Sequence, residues 1–209
     1  VSYGYNRDSL TSNNAMIPIA YYLMQQNCPD SFDVSKKYDD DRKEIFHWLA
    51  SAMLKKVFSG QPDNVLRPIR EIIHSSNSSF PKQVIFDKLK GTPKSFVFGD
   101  DEIENLFNYQ YGGAFTYSIL ATIYPSLNFR GKFHEDHIFP KTLFTEKKLK
   151  KLGISDEDIP FYLNNYNCIA NLQLLEGIPN QEKSKKMFDE WIEESYPDEI
   201  ARKTYMERN

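Results

Sequence analysis

The sequence predicts a mainly α protein in two domains. A helical bundle is expected over residues 1–125, and a smaller domain with two short strands and a closing helix over residues 126–209. Apolar residues recur at helical spacing through the first two thirds of the 209-residue chain, whereas the pattern changes after Asn128, where Phe133–Phe139 is short and rich in aromatic and β-branched residues. With 40% hydrophobic residues, the chain can bury a sizeable core.

Six helices are predicted in the first domain. The clearest runs from Asp41 to Phe58, where apolar residues share one face and Ser59-Gly60 follows as a stop signal. The segment Ala114–Tyr124 is nearly all apolar, so we expect it to be a core helix of the bundle. The remaining four are Asn13–Gln26, Val65–His74, Pro81–Leu89 and Asp100–Tyr109.

Strands and helices alternate in the second domain. Phe133–Phe139 and Ile169–Leu175 are the candidate strands. An insertion between them carries helical patterns over Lys147–Leu152 and Ser155–Asn164, and Glu182–Ser195 is the predicted closing helix.

Charge and cysteine usage limit the class of protein. The chain has 26 basic and 29 acidic residues, a formal charge of −3, so a polyanion would have to bind a local patch. Two distant cysteines, Cys28 and Cys168, disfavour a disulfide scaffold and a zinc-stapled fold, and a cytoplasmic location is expected. No apolar run has membrane-spanning length, so no membrane partner is expected. Because the chain opens on Val1 and not on Met, we expect a fragment of a longer polypeptide.

One local patch is basic. The segment from Phe129 to Lys151 has a surplus of four positive charges, from seven basic residues against three acidic ones. This suits a phosphate backbone, but a solvated lysine-rich helix explains it equally well. The basic residues are Arg130, Lys132, Lys141, Lys147, Lys148, Lys150 and Lys151.

The most informative stretch is Phe133-His134-Glu135-Asp136-His137-Ile138-Phe139-Pro140. Phosphodiester hydrolysis needs an activated water and a charge that stabilises the pentacoordinate phosphorus. Asp136 offers a carboxylate and Asn180 an amide carbonyl, which suffice as protein ligands for Mg²⁺ or Mn²⁺. His137 points to the other side of an extended chain and could take the proton from water. Asn180 could also be a simple turn residue or helix N-cap.

These residues resemble a known family. The series Asp136-His137-Ile138-Phe139-Pro140, Asn171-Leu172-x-Leu174-Leu175 and Asn180-x-x-Lys183 resembles the HNH branch of His-Me finger (ββα-metal) nucleases. The fuller context, with His134, the Asn167–Leu172 segment and an upstream helical region, is similar to the C-terminal domain of GmrSD-type modification-dependent restriction endonucleases.

The resemblance implies a role for each residue. His137 would be the general base, Asp136 and Asn180 the metal ligands, and Asn171 the central asparagine that ties the loop between the strands. Lys183 would face a phosphate, and His134 would be a further phosphate or metal contact. The implied function is Mg²⁺- or Mn²⁺-dependent cleavage of DNA in defence against foreign DNA.

Two rivals remain. The family's N-terminal nucleotide-dependent domain is not part of this sequence, which has no GxxxxGK motif. Without that partner domain, the chain could be a catalytically silent nucleic-acid-binding or assembly module. A zinc peptidase is disfavoured, because His134-Glu135-Asp136-His137 lacks the HExxH spacing that puts two histidines on one helix face.

Overall fold

The computed structural model describes residues 4–7, 9–76, 79–124, 127 and 131–208. It divides into two compact units, Val1–Ile103 and Glu104–Asn209. The predicted mainly α architecture is confirmed, because these described ranges contain eleven α-helices and one sheet of two strands. In the same ranges, no helix combines the length and the apolar composition that crossing a lipid bilayer requires.

Among the described residues of the first unit, four α-helices surround one aromatic centre. Trp48 is fully buried, and its indole packs against the rings of Phe58, Phe80 and Phe96. The four helices are α1 (Met16–Gln25), α2 (Asp39–Leu54), α3 (Asp63–Ser75) and α4 (Lys82–Leu89); α5 (Asp100–Leu106) spans the division between the units. Helix α1 packs on α3, and α2 packs on α4. These four helices were all predicted, with ends that shift by up to four residues.

The second unit contains the sheet. Its elements in chain order are α6 (Thr116–Ile123), β1 (Phe133–His137), α7 (Glu146–Lys151), α8 (Ile159–Asn165), β2 (Leu172–Glu176), α9 (Gly177–Lys183), α10 (Phe188–Ser195) and α11 (Glu199–Arg208). Strand β1 pairs antiparallel with β2, with Asp136 opposite Gln173 and His137 opposite Leu172. Helix α6 packs against β2, and Leu120 and Leu172 are each 1% exposed.

The division between the units differs from the domain boundary that we expected. The units divide at Ile103 and Glu104, whereas the predicted boundary at residues 125 and 126 lies outside the described residues. Helix α6 was expected in the bundle but belongs to the unit that carries the sheet. Its apolar face packs on β2 because that strand is buried from Leu172 to Leu175 and needs an apolar cover.

The predicted closing helix Glu182–Ser195 is wrong. The chain forms two helices there, and Ser184 between them has a φ of +45°, in the left-handed region that interrupts an α-helix. Helix α9 also begins at Gly177, so Asn180 lies within a helix and is neither a turn residue nor an N-cap. Helix α11 was not predicted.

Candidate active site

Strands β1 and β2 form an antiparallel pair, here called the hairpin although α7 and α8 lie between them in sequence. The polar side chains of β1 lie on both faces of this pair. Successive side chains of a strand point to opposite faces, so His134 and Asp136 share one face and Glu135 and His137 share the other. The contacts agree with this alternation: Asp136 meets Lys183 of α9, whereas His137 meets Tyr111 and Asn167. The candidate metal ligand and the candidate base are therefore neighbours at the end of β1 that project to different sides.

Asp136 belongs to a buried polar cluster. The Lys183 ammonium lies 2.9 Å from Asp136 Oδ2, and Gln173 Nε2 donates to the same oxygen at 3.0 Å. Lys183 is 0% exposed and also donates to the His137 carbonyl oxygen. A phosphate contact, as predicted for Lys183, does not fit this geometry, because solvent and substrate cannot reach the ammonium. Lys183 instead serves as the counter-ion of Asp136.

The position of Asn180 follows from its place on α9 relative to Lys183. Residues three apart on a helix are neighbours, so Asn180 lies on the same side of α9 as Lys183, which reaches Asp136. Within the described part of the chain, Asp136 Oδ1 and the Asn180 side chain make no hydrogen bond. A carboxylate oxygen and an amide oxygen are ligands that Mg²⁺ and Mn²⁺ favour, with water completing the shell. The chemistry of the two residues therefore fits the predicted metal site.

His134 lies beside the start of α9. A Cβ atom added to Gly177 would be 3.8 Å from His134 Nε2, so the imidazole packs over the first residue of that helix. It makes no hydrogen bond to any residue that the structure describes. Across those residues, no group of three or more His, Cys, Asp or Glu side chains is placed to hold a metal ion. The phosphate or metal contact implied for His134 stays a prediction.

The imidazole ring of His137 is held by a hydrogen bond at one nitrogen and by aromatic rings at its faces. Its Nε2 lies 2.8 Å from Asn167 Oδ1, and an amide oxygen only accepts, so Nε2 is the donor and the neutral imidazole has its free lone pair on Nδ1. The imidazole stacks on Tyr111 with ring centroids 4.9 Å apart and a 27° interplanar angle. Tyr166 lies roughly parallel to it at 6.3 Å. Because stacking covers ring faces and the Nδ1 lone pair lies in the ring plane, this arrangement suits a general base.

Asn171 joins the two sides of the loop that follows β1. Its Oδ1 accepts from the Phe139 backbone N–H at 2.9 Å, and its Nδ2 donates to the carbonyl oxygens of Phe139 and Tyr166 at 3.1 and 2.8 Å. Its own carbonyl oxygen accepts from the Ile138 N–H at 2.9 Å. Asn171 is 7% exposed. Its side chain thereby sets the path of the chain from His137 onward.

Replacing Asn171 with alanine should loosen this loop. Three side-chain hydrogen bonds are lost, and because Phe139 is half-exposed and water can replace part of them, we expect a destabilisation of about 2 kcal/mol. Urea unfolding measures the free energy, and hydrogen exchange at the Phe139 amide measures the local opening. Asn171→Asp retains the acceptor but loses both donors, so Phe139 amide protection should survive better than in Asn171→Ala. Equal protection in both variants would contradict the assignment.

Glu135 fixes a second loop against the hairpin. Its Oε2 accepts from the Gly112 N–H at 2.7 Å, on the same face of β1 as His137. The neighbouring backbone pairs with the segment before β2: Tyr111 N–H donates to the Asn167 carbonyl oxygen at 2.9 Å, and Gln110 forms a β-bridge with Cys168. These contacts bring Tyr111 to His137 from a distant part of the sequence.

Stability should depend on pH through Glu135. Burial raises the pKa of its carboxyl, and the hydrogen bond from Gly112 only partly offsets this. A raised folded-state pKa means that the free energy of unfolding falls as pH rises from about 4.5, the ordinary value, through the raised value. Glu135→Gln stays neutral and can still accept from Gly112. The fall in the midpoint of urea unfolding that Glu135 causes between pH 4.5 and 7 should therefore be absent in this variant. The exposed Glu182→Gln is the matched control; identical slopes in wild type and Glu135→Gln would refute the assignment.

Part of the positive charge of the basic segment Phe129–Lys151 is neutralised by ion pairs in the fold. Lys150 is paired with Glu146 at 3.0 Å and with Asp156 at 2.9 Å, and the second acid lies outside the segment counted above. Lys141 lies over the Tyr166 ring, 5.4 Å from its centroid, next to the rings that flank His137. Arg130 lies outside the described residues. Of the described basic residues of this segment, Lys141 is the one that contacts a ring lying beside the candidate base, Tyr166.

Sequence reasoning assigned no role to three contributors. Asn167, Tyr111 and Gln173 hold His137 and Asp136, yet each is an ordinary residue of a loop or strand. Gln173 could be found only once the register of the hairpin was known, and Tyr111 only from the pairing of Gln110 with Cys168. Of the predicted residues, the structure brings Asp136 and Lys183 into contact. Asn180 lies three residues before Lys183 on α9, His137 lies at the end of β1, and Asn171 ties the loop that follows.

Comparison with known proteins gives no family assignment. A scan against models of protein families finds no match, and a search of the curated proteins finds none that is significant.

Proposed function

We propose that this chain is an endonuclease that uses one divalent metal ion to hydrolyse DNA phosphodiester bonds, with a ββα-metal arrangement formed by β1, β2 and α9. The observation that carries the proposal is the return of α9 onto β1. Asn180 lies on the side of α9 from which Lys183 reaches Asp136, while His137, the residue after Asp136, is held with one ring nitrogen free. An acid, an amide and an imidazole base at one strand end form a set suited to phosphodiester hydrolysis.

Each residue has a defined task in this proposal. His137 Nδ1 takes the proton of the attacking water, whose oxygen forms the new bond to phosphorus as the bond to the leaving oxygen breaks and that oxygen takes a proton from solvent. Asn167 keeps the proton on Nε2 throughout. Asp136 Oδ1 and the Asn180 amide oxygen would hold Mg²⁺ or Mn²⁺. When bound, such a cation supplies positive charge that stabilises the pentacoordinate phosphorus and the leaving oxygen.

The biological context of the proposal comes from the family resemblance. It comprises defence against foreign DNA, with the choice of modified DNA made by a nucleotide-dependent partner domain. The candidate site itself contains groups that act on a phosphodiester, whose phosphate is common to every DNA sequence.

A second candidate function rests on the ion pair between Lys183 and Asp136. A carboxylate whose charge is already neutralised by the protein can be purely structural. The unit would then be a nucleic-acid-binding or assembly module that is catalytically silent without its partner domain. Salt-sensitive DNA binding with no cleavage in Mg²⁺ or Mn²⁺ would favour this function.

The test is cleavage of a supercoiled plasmid with Mg²⁺ or Mn²⁺, and with EDTA as the metal-free reference. Asn180→Ala should lower the rate at limiting Mn²⁺ by at least about tenfold, with partial recovery at high Mn²⁺, because it removes one proposed ligand. The matched control is Asn164→Ala, which changes an exposed amide of the same unit. Cleavage that persists in EDTA, or that is equal in Asn180→Ala and Asn164→Ala, would contradict the assignment of Asn180 as a metal ligand.

A further inference from the structure

The Asp136 carboxylate, which we propose as the only charged metal ligand, already has a lysine of the same unit as its counter-ion. The Lys183 ammonium contacts Asp136 Oδ2 at 2.9 Å, and Gln173 adds a hydrogen bond to the same oxygen. Lys183 is fully buried, and the Asp136 side chain is 13% exposed. Since so little solvent separates or screens the two charges, this pair persists at salt concentrations that weaken surface pairs.

Neutralisation has a consequence for cation binding. Asp136 and Lys183 together contribute no net charge, and the second proposed ligand, Asn180, is an uncharged amide. Glu135, the acid adjacent to Asp136, is on the opposite face of β1 and accepts from Gly112. The affinity of an oxygen site for a hard divalent cation depends on how many charged ligands it has. A dication at this site therefore meets two oxygens whose residues, together with Lys183, carry no net charge.

We infer that the site takes up its divalent cation together with the phosphate of a nucleic-acid strand and not before it. This inference rests on the proposed function. The anionic oxygens of the phosphodiester supply the negative charge that Lys183 has cancelled, so cation and phosphate complete each other's site. Because linkage is reciprocal, the cation raises the affinity for the strand by the same factor as the strand raises the affinity for the cation.

The position of Lys183 explains why this counter-ion cannot simply move away. Its ammonium also donates to the His137 carbonyl oxygen, so it holds the end of β1 against α9. Lys183 is the last residue of α9, and the backbone turns at Ser184 directly after it. The lysine is thus a positioning residue that keeps Oδ2 occupied and leaves only Oδ1 for a cation.

The experiment uses Mn²⁺ as the probe and the side-chain amide signals of Asn180 and Gln173 as readouts in ¹⁵N NMR spectra. Bound Mn²⁺ broadens signals close to it, so the Mn²⁺ concentration that half-broadens them reports occupancy of this site. Asn164, exposed on α8, corrects for Mn²⁺ held elsewhere. A His137→Ala background keeps a mixed-sequence DNA duplex intact. We expect the duplex to lower the half-broadening concentration by about tenfold or more.

Two further variants in the same background separate charge from structure. Lys183→Met, similar in length but uncharged, should bind Mn²⁺ about tenfold or more tightly without DNA, because Asp136 regains its charge. Lys185→Met removes an exposed lysine two residues away and should leave Mn²⁺ binding unchanged. If Lys183→Met does not fold, as circular dichroism would show, the effect of DNA on the Lys183-containing protein decides the question.

The outcomes distinguish this inference from the proposed function. Equal half-broadening with and without DNA overturns the inference, even if the plasmid is cleaved. The inference is also overturned if Lys183→Met binds Mn²⁺ without DNA as weakly as the Lys183-containing protein and gains the same affinity when DNA is added. The lysine would then play no part. Absence of broadening in every condition, together with absence of plasmid cleavage, overturns the proposed function and the inference with it.

Discussion

Replacing His137 with alanine should lower the rate of plasmid cleavage by about two to four orders of magnitude, the usual loss when a general base is removed. The free Nδ1 lone pair of this imidazole is the only proton acceptor assigned to the attacking water. DNA binding should change little, because His137 is assigned no phosphate contact. The rate is measured from loss of supercoiled plasmid at saturating Mn²⁺, and binding from fluorescence anisotropy of a labelled duplex.

The control for this substitution is His74→Ala. His74 is exposed at the end of α3 in the other unit, where its Nδ1 contacts the Tyr21 hydroxyl at 3.2 Å. It changes the same residue type and should leave cleavage as in the wild type. A His137→Ala protein that cuts at the wild-type rate would mean that another group activates the water. Parallel losses in binding and cleavage would instead show that the variant disturbs the fold of the hairpin.

The part of the site that the sequence predicted is the part with local signals. The aromatic and β-branched residues around Asp136 and His137 indicated an extended segment, and the alternation of a strand already predicted that the two side chains point to different sides. The strand Phe133–His137 confirms both points. These features depend only on neighbouring residues, which a linear pattern contains.

Long-range contacts were beyond the linear pattern. Tyr111 reaches His137 because Gln110 pairs with Cys168, a contact between segments that were assigned to different domains. The break at Ser184 was hidden because a polar run of Lys, Ser and Lys residues is compatible with helix. The family resemblance implied that Lys183 faces a phosphate. Its burial had no local signal, because its partner, Asp136, is 47 residues earlier in the chain.

An aromatic cluster supports the site from behind the sheet. Trp191 of α10 is 1% exposed and is packed with Leu175 of β2 and with Ile192. Tyr205 of α11 and Phe188 complete the cluster, with ring centroids 5.7 and 5.9 Å from that of Trp191. Burial within this group raises the pKa of Tyr205 well above the usual range of a tyrosine. The cluster therefore joins α10 and α11 to the strand that pairs with Asp136 and His137.

Replacing Trp191 with alanine should reduce the free energy of unfolding by about 3–5 kcal/mol, because a large buried ring is lost and the surrounding helices cannot close the space. Urea unfolding followed by circular dichroism measures this loss. Cleavage should fall with the folded fraction and return when a low temperature or a stabilising solute restores folding.

Two control variants test whether the buried ring is the cause. Trp191→Phe keeps one ring in the cluster and should lower the free energy of unfolding by less. Phe161→Ala removes a ring that is 65% exposed and should stay within about 0.5 kcal/mol of the wild type. A Trp191→Ala protein as stable as Phe161→Ala would show that α10 and α11 do not support the hairpin.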